Sequence, residues 1–143
     1  MATPRQRTVI IDDAADIRGL VRAILAEDES FSVIGEASDG EAGLRLVRQL
    51  EPDLVLLDIS MPRMDGLEVL AVLREELPSI MVVMLTGHSS ESPAGRATTT
   101  GAAGFLEKNA LVYRLLPGLR AILAQRTSAA ASEAAQTDGA PAS

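Results

Sequence analysis

Short runs of apolar residues alternate with stretches of helical periodicity along most of the chain. The five apolar runs, each of a length typical of a strand, are 8–11, 31–36, 54–57, 80–85 and 104–108. Between them, apolar residues recur every three or four positions, as they do on one face of an amphipathic helix. Strands that alternate with helices in this way are typical of an α/β fold, in which a parallel sheet is covered by helices on both faces.

Three of the predicted helices have a clear apolar stripe. The stripes are Ile17, Leu20, Val21, Ile24 and Leu25; Leu44, Val47 and Leu50; and Leu70, Leu73 and Leu77. We expect the first helix to end within 27–30, whereas Pro52 and Pro78 stop the second and third. Ser38 and Glu41 have the spacing of a capping box, which predicts the start of the second helix.

The last third of the chain is harder to interpret. Pro93, Gly95 and three consecutive threonines make 88–100 poor helix material, so we expect a short or mobile fourth helix there. A fifth helix has the stripe Leu111, Leu115, Leu119, Ile122 and Leu123. Pro117 and Gly118 interrupt it, which predicts a kink or a late start.

The sequence predicts one domain with a tail at each end. Residues 1–6 form an N-terminal tail, and 7–126 form the domain. Residues 127–143 have almost no large apolar side chain, so we expect a disordered Ala/Ser-rich tail or linker there.

Composition narrows the possible functions. Hydrophobic residues make up 47% of the chain and aromatic residues only 2%, so the core is aliphatic. The net charge of −7 disfavours direct binding to nucleic acid or to an anionic membrane. The chain has no cysteine and no apolar run long enough to span a bilayer, which fits a cytoplasmic protein.

Polar residues stand where four of the predicted strands end. Asp12 and Asp13 follow the first strand, Asp58 the third, Thr86 the fourth and Lys108 the fifth. In an open α/β sheet, ligands bind at the carboxyl ends of the strands. Each of these residues alone has an ordinary explanation, such as a helix cap or a solvated turn, but the whole set at one edge of the sheet favours a functional site.

The residue types in this set indicate phosphoryl chemistry. Three clustered carboxylates repel one another unless a cation neutralises them, and Mg²⁺ or Mn²⁺ suits their hard oxygen ligands. Such a metal attracts a phosphoryl group, whose charge Lys108 can pair and whose oxygen Thr86 can hydrogen-bond. Asp58, on the central strand, is then the candidate nucleophile.

Four segments carry a resemblance to a known family: TVIIDD, LVLLDISMPRMDG, VVMLTG and GAAGFLEK. In this order and at this spacing they resemble the receiver domains of bacterial two-component response regulators, over about Arg7 to Gln125. The segment FSVIGEASDG is similar to the subfamily whose output is usually a helix-turn-helix DNA-binding domain. The resemblance implies a flavodoxin-like fold with five strands in the order 2-1-3-4-5.

The resemblance also implies a role for each site residue. Asp58 would be the phosphoacceptor, and Asp13 and Asp58 would coordinate the metal directly. The backbone carbonyl of Ser60 would be the third protein ligand, and Asp12 would act through water.

The remaining positions match the family's switch. Thr86 matches the switch threonine, Lys108 the phosphate-pairing lysine and Phe105 the aromatic residue that turns inwards when the threonine moves. The segment Met61-Pro62 matches the turn after the acceptor, and Gly66 matches the glycine that opens the third helix. His88, the only histidine, is expected to be an exposed loop residue, although it could border the phosphoryl site.

Three departures from the family pattern lie in the last third of the chain. Asn109 stands where the family often has a proline after a cis bond, so a cis peptide there is not assumed. The unusual composition of 88–100 and the Pro117-Gly118 pair fall on the usual output face, which consists of the fourth helix, the fifth strand and the fifth helix. A homodimer through that face is therefore possible, and the sequence does not decide it.

The predicted function is a phosphorylation switch. A sensor histidine kinase would phosphorylate Asp58, and the changed output face would regulate a partner or an attached DNA-binding domain. The chain would promote its own phosphorylation and dephosphorylation without being a turnover enzyme. The main alternative is an interaction module that works without phosphorylation. A haloacid-dehalogenase-type phosphohydrolase is disfavoured, because Ser60 stands where that class needs a second acid, and the acidic loop after the first strand excludes a flavodoxin.

Overall fold

The computed structural model describes residues 5–87 and 101–139. Five parallel strands form a single sheet in the order β2-β1-β3-β4-β5. The elements are β1 (Gln6–Ile11), α1 (Ala15–Leu25), β2 (Phe31–Ala37), α2 (Gly40–Leu50), β3 (Leu54–Asp58), α3 (Gly66–Glu76), β4 (Met81–Thr86), β5 (Gly104–Glu107), a 3₁₀ turn (Lys108–Ala110) and α4 (Leu111–Gly139), which is the fifth helix of the sequence analysis. The flavodoxin-like fold and its strand order are confirmed.

The register of the sheet aligns the carboxyl ends of its strands. Ile11 pairs with Leu57, while Asp58 pairs with Leu85 on the next strand. Every residue of β3 is buried, as expected for a central strand. Residues that follow these strands are therefore brought to one edge of the sheet.

Alternate residues of each strand pack on opposite faces of the sheet, because successive side chains of a strand point to opposite sides. Val55 and Leu57 pack with the apolar faces of α2 and α3. Leu54 and Leu56 pack with those of α1 and α4. The stripes of all four helices are thus used as the sequence predicts, and both faces of the sheet are covered.

The capping box predicted for α2 is wrong by one residue. Asp39, not Ser38, is the N-cap, and its carboxylate accepts a hydrogen bond from the N–H of Ala42 at 2.8 Å. Asp and Ser are about equally good caps, so the spacing of Ser38 and Glu41 alone did not distinguish the two neighbouring positions. Pro52 follows the end of α2 at Leu50, as predicted.

Of the two alternatives predicted for the last helix, a kink or a late start, the late start is wrong. The helix begins at Leu111 and includes Pro117. A Cβ on Gly118 would lie 2.5 Å from Cδ2 of Leu106, and one on Gly104 would lie 2.6 Å from Cδ1 of Ile122. Both glycines therefore allow α4 to pack closely on β5, so Gly118 serves this contact and does not mark the start of the helix.

Both ends of the described chain differ from the predicted boundaries. The strand β1 begins at Gln6, inside the predicted tail, and α4 continues to Gly139 where we expected disorder from residue 127. Residues 127–139 include five alanines, and alanine has the highest helix propensity, which favours a helical backbone even without large apolar residues. The predicted helix in 88–100, His88 and residues 140–143 lie outside the described residues.

Two further observations concern the described ranges only. None of their peptide bonds is cis, so the Lys108–Asn109 bond is trans. They also contain no helix that is long and apolar enough to cross a membrane.

Candidate functional site

The buried polar side chains of the described ranges are concentrated at one edge of the sheet. They are Thr8, Asp12, Asp58 and Thr86, and all but Thr8 lie at the carboxyl ends of strands. Asp12 is 0% exposed and Asp58 is 1% exposed. Burying a carboxylate is costly unless it is paired or binds a metal, so this edge is a candidate site on physical grounds alone.

Lys108 is the cation that faces these acids. Its Nζ lies 2.9 Å from Oδ2 of Asp12 and 3.0 Å from Oδ1 of Asp58. It directly follows β5, and it is the only lysine in the chain. The structure therefore brings together the first, third and fifth strand ends, as the sequence predicts.

The two buried carboxylates at this edge each use one oxygen to accept a backbone N–H. Oδ1 of Asp12 accepts the N–H of Ala14, and Oδ1 of Asp58 accepts the N–H of Ser60. Oδ2 of both carboxylates is buried; that of Asp58 accepts no hydrogen bond from the described residues, and that of Asp12 has the ammonium group of Lys108 as its neighbour at 2.9 Å. Oδ2 of Asp58 therefore keeps an acceptor site for a further positive group.

The acidic cluster fits a divalent cation. Asp12, Asp13 and Asp58 each offer one carboxylate oxygen, and these oxygens lie within 4.8 Å of one another. Hard oxygen donors with incomplete protein coordination suit Mg²⁺, which usually retains several waters. Asp13 is exposed, so the described residues do not fully enclose the cluster.

The protonation behaviour of the site follows from its burial. Desolvation raises the pKa of Asp58 to about 6, against the opposing effect of Lys108 and with a further upward effect from the charge of Asp12. Burial lowers the pKa of Lys108, but contact with the two carboxylates outweighs it and leaves that pKa above its usual range. Near neutral pH the site thus holds an ammonium group beside an excess of negative charge.

The loop after Asp58 is built around a close backbone approach. A Cβ on Gly66 would lie 2.1 Å from the carbonyl oxygen of Asp58, and the N–H of Gly66 donates to the carbonyl of Ile59 at 2.8 Å. Only glycine allows α3 to begin this close to the strand end. Asp65 caps the helix by accepting the N–H of Glu68 at 2.9 Å, a role that the sequence analysis did not identify. The carbonyl of Ser60 as a metal ligand stays a prediction.

The predicted switch residues lie on neighbouring strands. Thr86 is buried at the end of β4, and Phe105 is half-buried on β5 beside Met84. Phe105 packs against the cluster formed with α2 and α3, and it also lines a groove of about 350 Å³ that includes Ala110 and Arg114. Its position fits ordinary packing as well as a switch, so the switch role stays a prediction.

One residue at the edge of the site, Arg18, was not predicted from the sequence. Nη1 of Arg18 donates a hydrogen bond to the backbone carbonyl of Asp12 at 2.7 Å. A contact with a backbone carbonyl does not depend on the type of the accepting residue, so no sequence pattern pointed to Arg18.

Comparison with known proteins agrees with this geometry. The profile of the response regulator receiver domain family matches residues 8–120. The positive transcription regulator of virulence factors BvgA from Bordetella pertussis is 40% identical over 121 residues, which are 85% of this chain and 57% of BvgA. A protein-glutamate methylesterase/protein-glutamine glutaminase from Maricaulis maris is 43% identical over 105 residues, which are 71% of this chain and 26% of that enzyme.

Among solved structures, the signal receiver domain of the response regulator NarL from Mycobacterium tuberculosis is similar, with a TM-score of 0.69 and 38% identity. The match covers 74% of this chain and 86% of that domain. The chain thus spans 57% of the length of the first curated relative and 26% of the methylesterase, whereas it matches most of an isolated receiver domain.

Proposed function

Because this chain belongs to the response regulator receiver domain family, we propose that it is a phosphorylation switch in which Asp58 accepts a phosphoryl group from a sensor histidine kinase. The observation that carries the proposal is the buried contact of Lys108 with Asp12 and Asp58, beside Oδ2 of Asp58, which accepts no hydrogen bond from the described residues. An ammonium group and a cluster of acids at one site suit the binding of a divalent cation together with a phosphoryl group.

The reaction is a transfer between two proteins. A carboxylate oxygen of Asp58 attacks the phosphorus of a phosphohistidine, so that an O–P bond forms and the N–P bond breaks. The histidine nitrogen keeps the electron pair of the broken bond. The product is an acyl phosphate, which water later hydrolyses to the Asp58 carboxylate and inorganic phosphate. The chain promotes only its own phosphorylation and dephosphorylation.

The other site residues support this transfer. Mg²⁺ or Mn²⁺ would be held by Asp13, Asp58 and the carbonyl of Ser60, with Asp12 acting through water, and it would supply positive charge to the phosphoryl oxygens. Lys108, already 3.0 Å from Asp58, pairs the charge of the added group. Thr86 moves and donates a hydrogen bond to a phosphoryl oxygen. The side chain of Phe105 turns inwards when Thr86 has moved.

The output of the switch is a change in the face around residues 92–120. Residues 6–126 act as the receiver unit, and the part of α4 beyond residue 126 acts as the start of a linker or tail. Because BvgA is by name a transcription regulator and is longer than this chain, regulation of transcription through an attached DNA-binding domain is the favoured output. A homodimer through β5 and α4 is a second way for the same face to act.

Incubation with acetyl phosphate and Mg²⁺, followed by intact-mass measurement, tests the switch. We expect one added phosphoryl group in the native protein and none in Asp58→Asn. Asp53→Asn is the matched control, because Asp53 precedes β3 at its opposite end, is exposed and should leave phosphorylation intact. If the native protein takes up no phosphate, the alternative of a phosphorylation-independent interaction module is favoured.

A further inference from the structure

The acidic pair after β1 is held by an arginine that lies outside the acidic cluster. Arg18, in the second turn of α1, donates from Nη1 to the backbone carbonyl of Asp12 at 2.7 Å. Its Nε lies 3.4 Å from Oε1 of Glu36 on β2, and its side chain is only 19% exposed. The arginine therefore links three elements, namely the β1–α1 loop, α1 and β2.

Every other polar atom of Asp12 already has a partner or faces the site. Its N–H donates to the carbonyl of Ala37 at 3.1 Å, and its Oδ1 accepts the N–H of Ala14 at 2.9 Å. Its Oδ2 faces Lys108. The carbonyl oxygen is the remaining atom, and Arg18 satisfies it at a residue that is completely buried.

This contact orients the neighbouring acid as well. The carbonyl of Asp12 and the N–H of Asp13 belong to the same planar peptide unit. Asp13 is exposed, so its side chain is not enclosed by packing, and its backbone sets where that side chain starts. A hydrogen bond that holds the Asp12 carbonyl therefore also fixes the orientation of this peptide unit, which includes the backbone nitrogen of Asp13.

The charge of Arg18 is directed at the loop and not at the helix. Asp16 is the charged residue in the first turn of α1 and suits the positive end of the helix dipole, whereas Arg18 lies further along the helix and donates to the Asp12 carbonyl. We propose that Arg18 is a positioning residue that orients Asp12 and Asp13 for the divalent cation, an inference that rests on the proposed function.

Replacing Arg18 removes a positive charge and also removes the contact that orients the acids. These two losses should change the affinity for a divalent cation in opposite directions. Removing a positive charge beside an acidic cluster should strengthen the binding of a cation if only electrostatics matters. Loss of orientation should weaken it, and outer-shell contacts of metal ligands typically account for about 10- to 100-fold in affinity. The sign of the change therefore separates the two effects.

Calorimetric titration with Mg²⁺ alone tests the proposal. We expect Arg18→Gln to bind Mg²⁺ at least about 10-fold more weakly than the native protein, and Arg18→Lys, which keeps one donor and the charge, to recover part of the loss. The matched control is Arg22→Gln, since Arg22 pairs with the same Glu36 but does not contact Asp12. Its affinity should stay within about twofold of the native value.

Phosphorylation by acetyl phosphate gives a second readout. In Arg18→Gln the Mg²⁺ concentration for half-maximal rate should rise about 10-fold, whereas the rate at saturating Mg²⁺ should remain near the native rate. Unchanged or tighter Mg²⁺ binding in Arg18→Gln would overturn the positioning role, as would an equal loss in Arg22→Gln or a native protein that binds no Mg²⁺. Failure of the proposed function looks different, because Asp58 would then remain unmodified in the native protein at every Mg²⁺ concentration.

Discussion

The carboxylate of Asp58 opposes folding when it is ionised. Its pKa in the folded protein is about 6, above the ordinary 3.8, chiefly because burial removes it from water. Between these two values the folded state binds more protons than the unfolded state, so stability falls as pH rises from about 4 to about 6. Above that range the full cost of the buried charge is present.

Replacing Asp58 with Asn should therefore stabilise the protein at neutral pH. The shift of the pKa corresponds to at most about 3 kcal/mol, and Lys108 keeps its contact with Asp12 in the variant. Urea unfolding of both proteins without divalent cations would measure the gain at pH 7.5, and the gap should close at pH 4. A variant that is less stable at pH 7.5, or a gap that is the same at both pH values, would contradict this account.

Individual residues also show what the sequence could and could not predict. Asp12, Asp58, Thr86 and Lys108 were found because each follows an apolar run, and the ends of parallel strands meet at one edge. Arg18 was missed because its contacts are with a carbonyl and with Glu36, which lies 18 positions further along the chain. Hydrophobic periodicity carries no information about such polar contacts.

The junction between β3 and α3 depends on a glycine. Gly66→Ala would place a Cβ 2.1 Å from the carbonyl of Asp58, so either α3 or the strand end must move. Crowding of this kind costs roughly 1–3 kcal/mol, and we expect such a loss in the free energy of unfolding measured with urea. Phosphorylation of Asp58 should slow in the same variant, because the acceptor itself is displaced.

Gly19→Ala is the matched control for this substitution. Gly19 lies within α1, and a Cβ there would come no closer than 3.8 Å to a neighbouring atom, on the flexible side chain of Arg22. Alanine in a helix interior is favoured over glycine by about 0.5–1 kcal/mol, so the control should be slightly more stable than the native protein. If both variants lost stability equally, close approach at Gly66 would not be the cause.

The boundaries of the elements differ from the prediction where local signals compete. Asp39 and Ser38 are both good caps, and only the structure shows which one α2 uses. Pro117 and Gly118 predicted a kink or a late start of the last helix, but the helix begins before them and Gly118 makes room for Leu106. This contact of Gly118 exists because β5 lies beside α4, and no local pattern in the sequence shows that these two elements are neighbours.

Across the whole molecule, the aliphatic composition and the alternation of strands and helices predicted the α/β class, but periodicity alone does not give the order of the strands. That order, 2-1-3-4-5, was implied by the family resemblance, and the structure confirms it. The order matters for function because it places β3 next to β1 and β4, so that Asp58 lies beside both Asp12 and Thr86.

The net charge of the whole chain and the local charge of the site both oppose the approach of an anionic phosphoryl donor. The net charge is −7, and at the site three carboxylates face one ammonium group, which leaves an excess of two negative charges before any phosphoryl donor arrives. A dianionic donor would be repelled by this excess. A divalent cation removes it, and the account therefore makes phosphorylation depend on both Asp58 and the metal.

Chemical identification of the modified residue tests this claim most directly. Protein treated with acetyl phosphate in Mg²⁺, and a parallel sample in EDTA, would be reduced with borohydride, which converts an aspartyl phosphate to homoserine, and then sequenced by tandem mass spectrometry. We expect homoserine at position 58 in the Mg²⁺ sample and an unmodified Asp58 in EDTA. Modification at another residue, or equal modification of Asp58 in both samples, would contradict it.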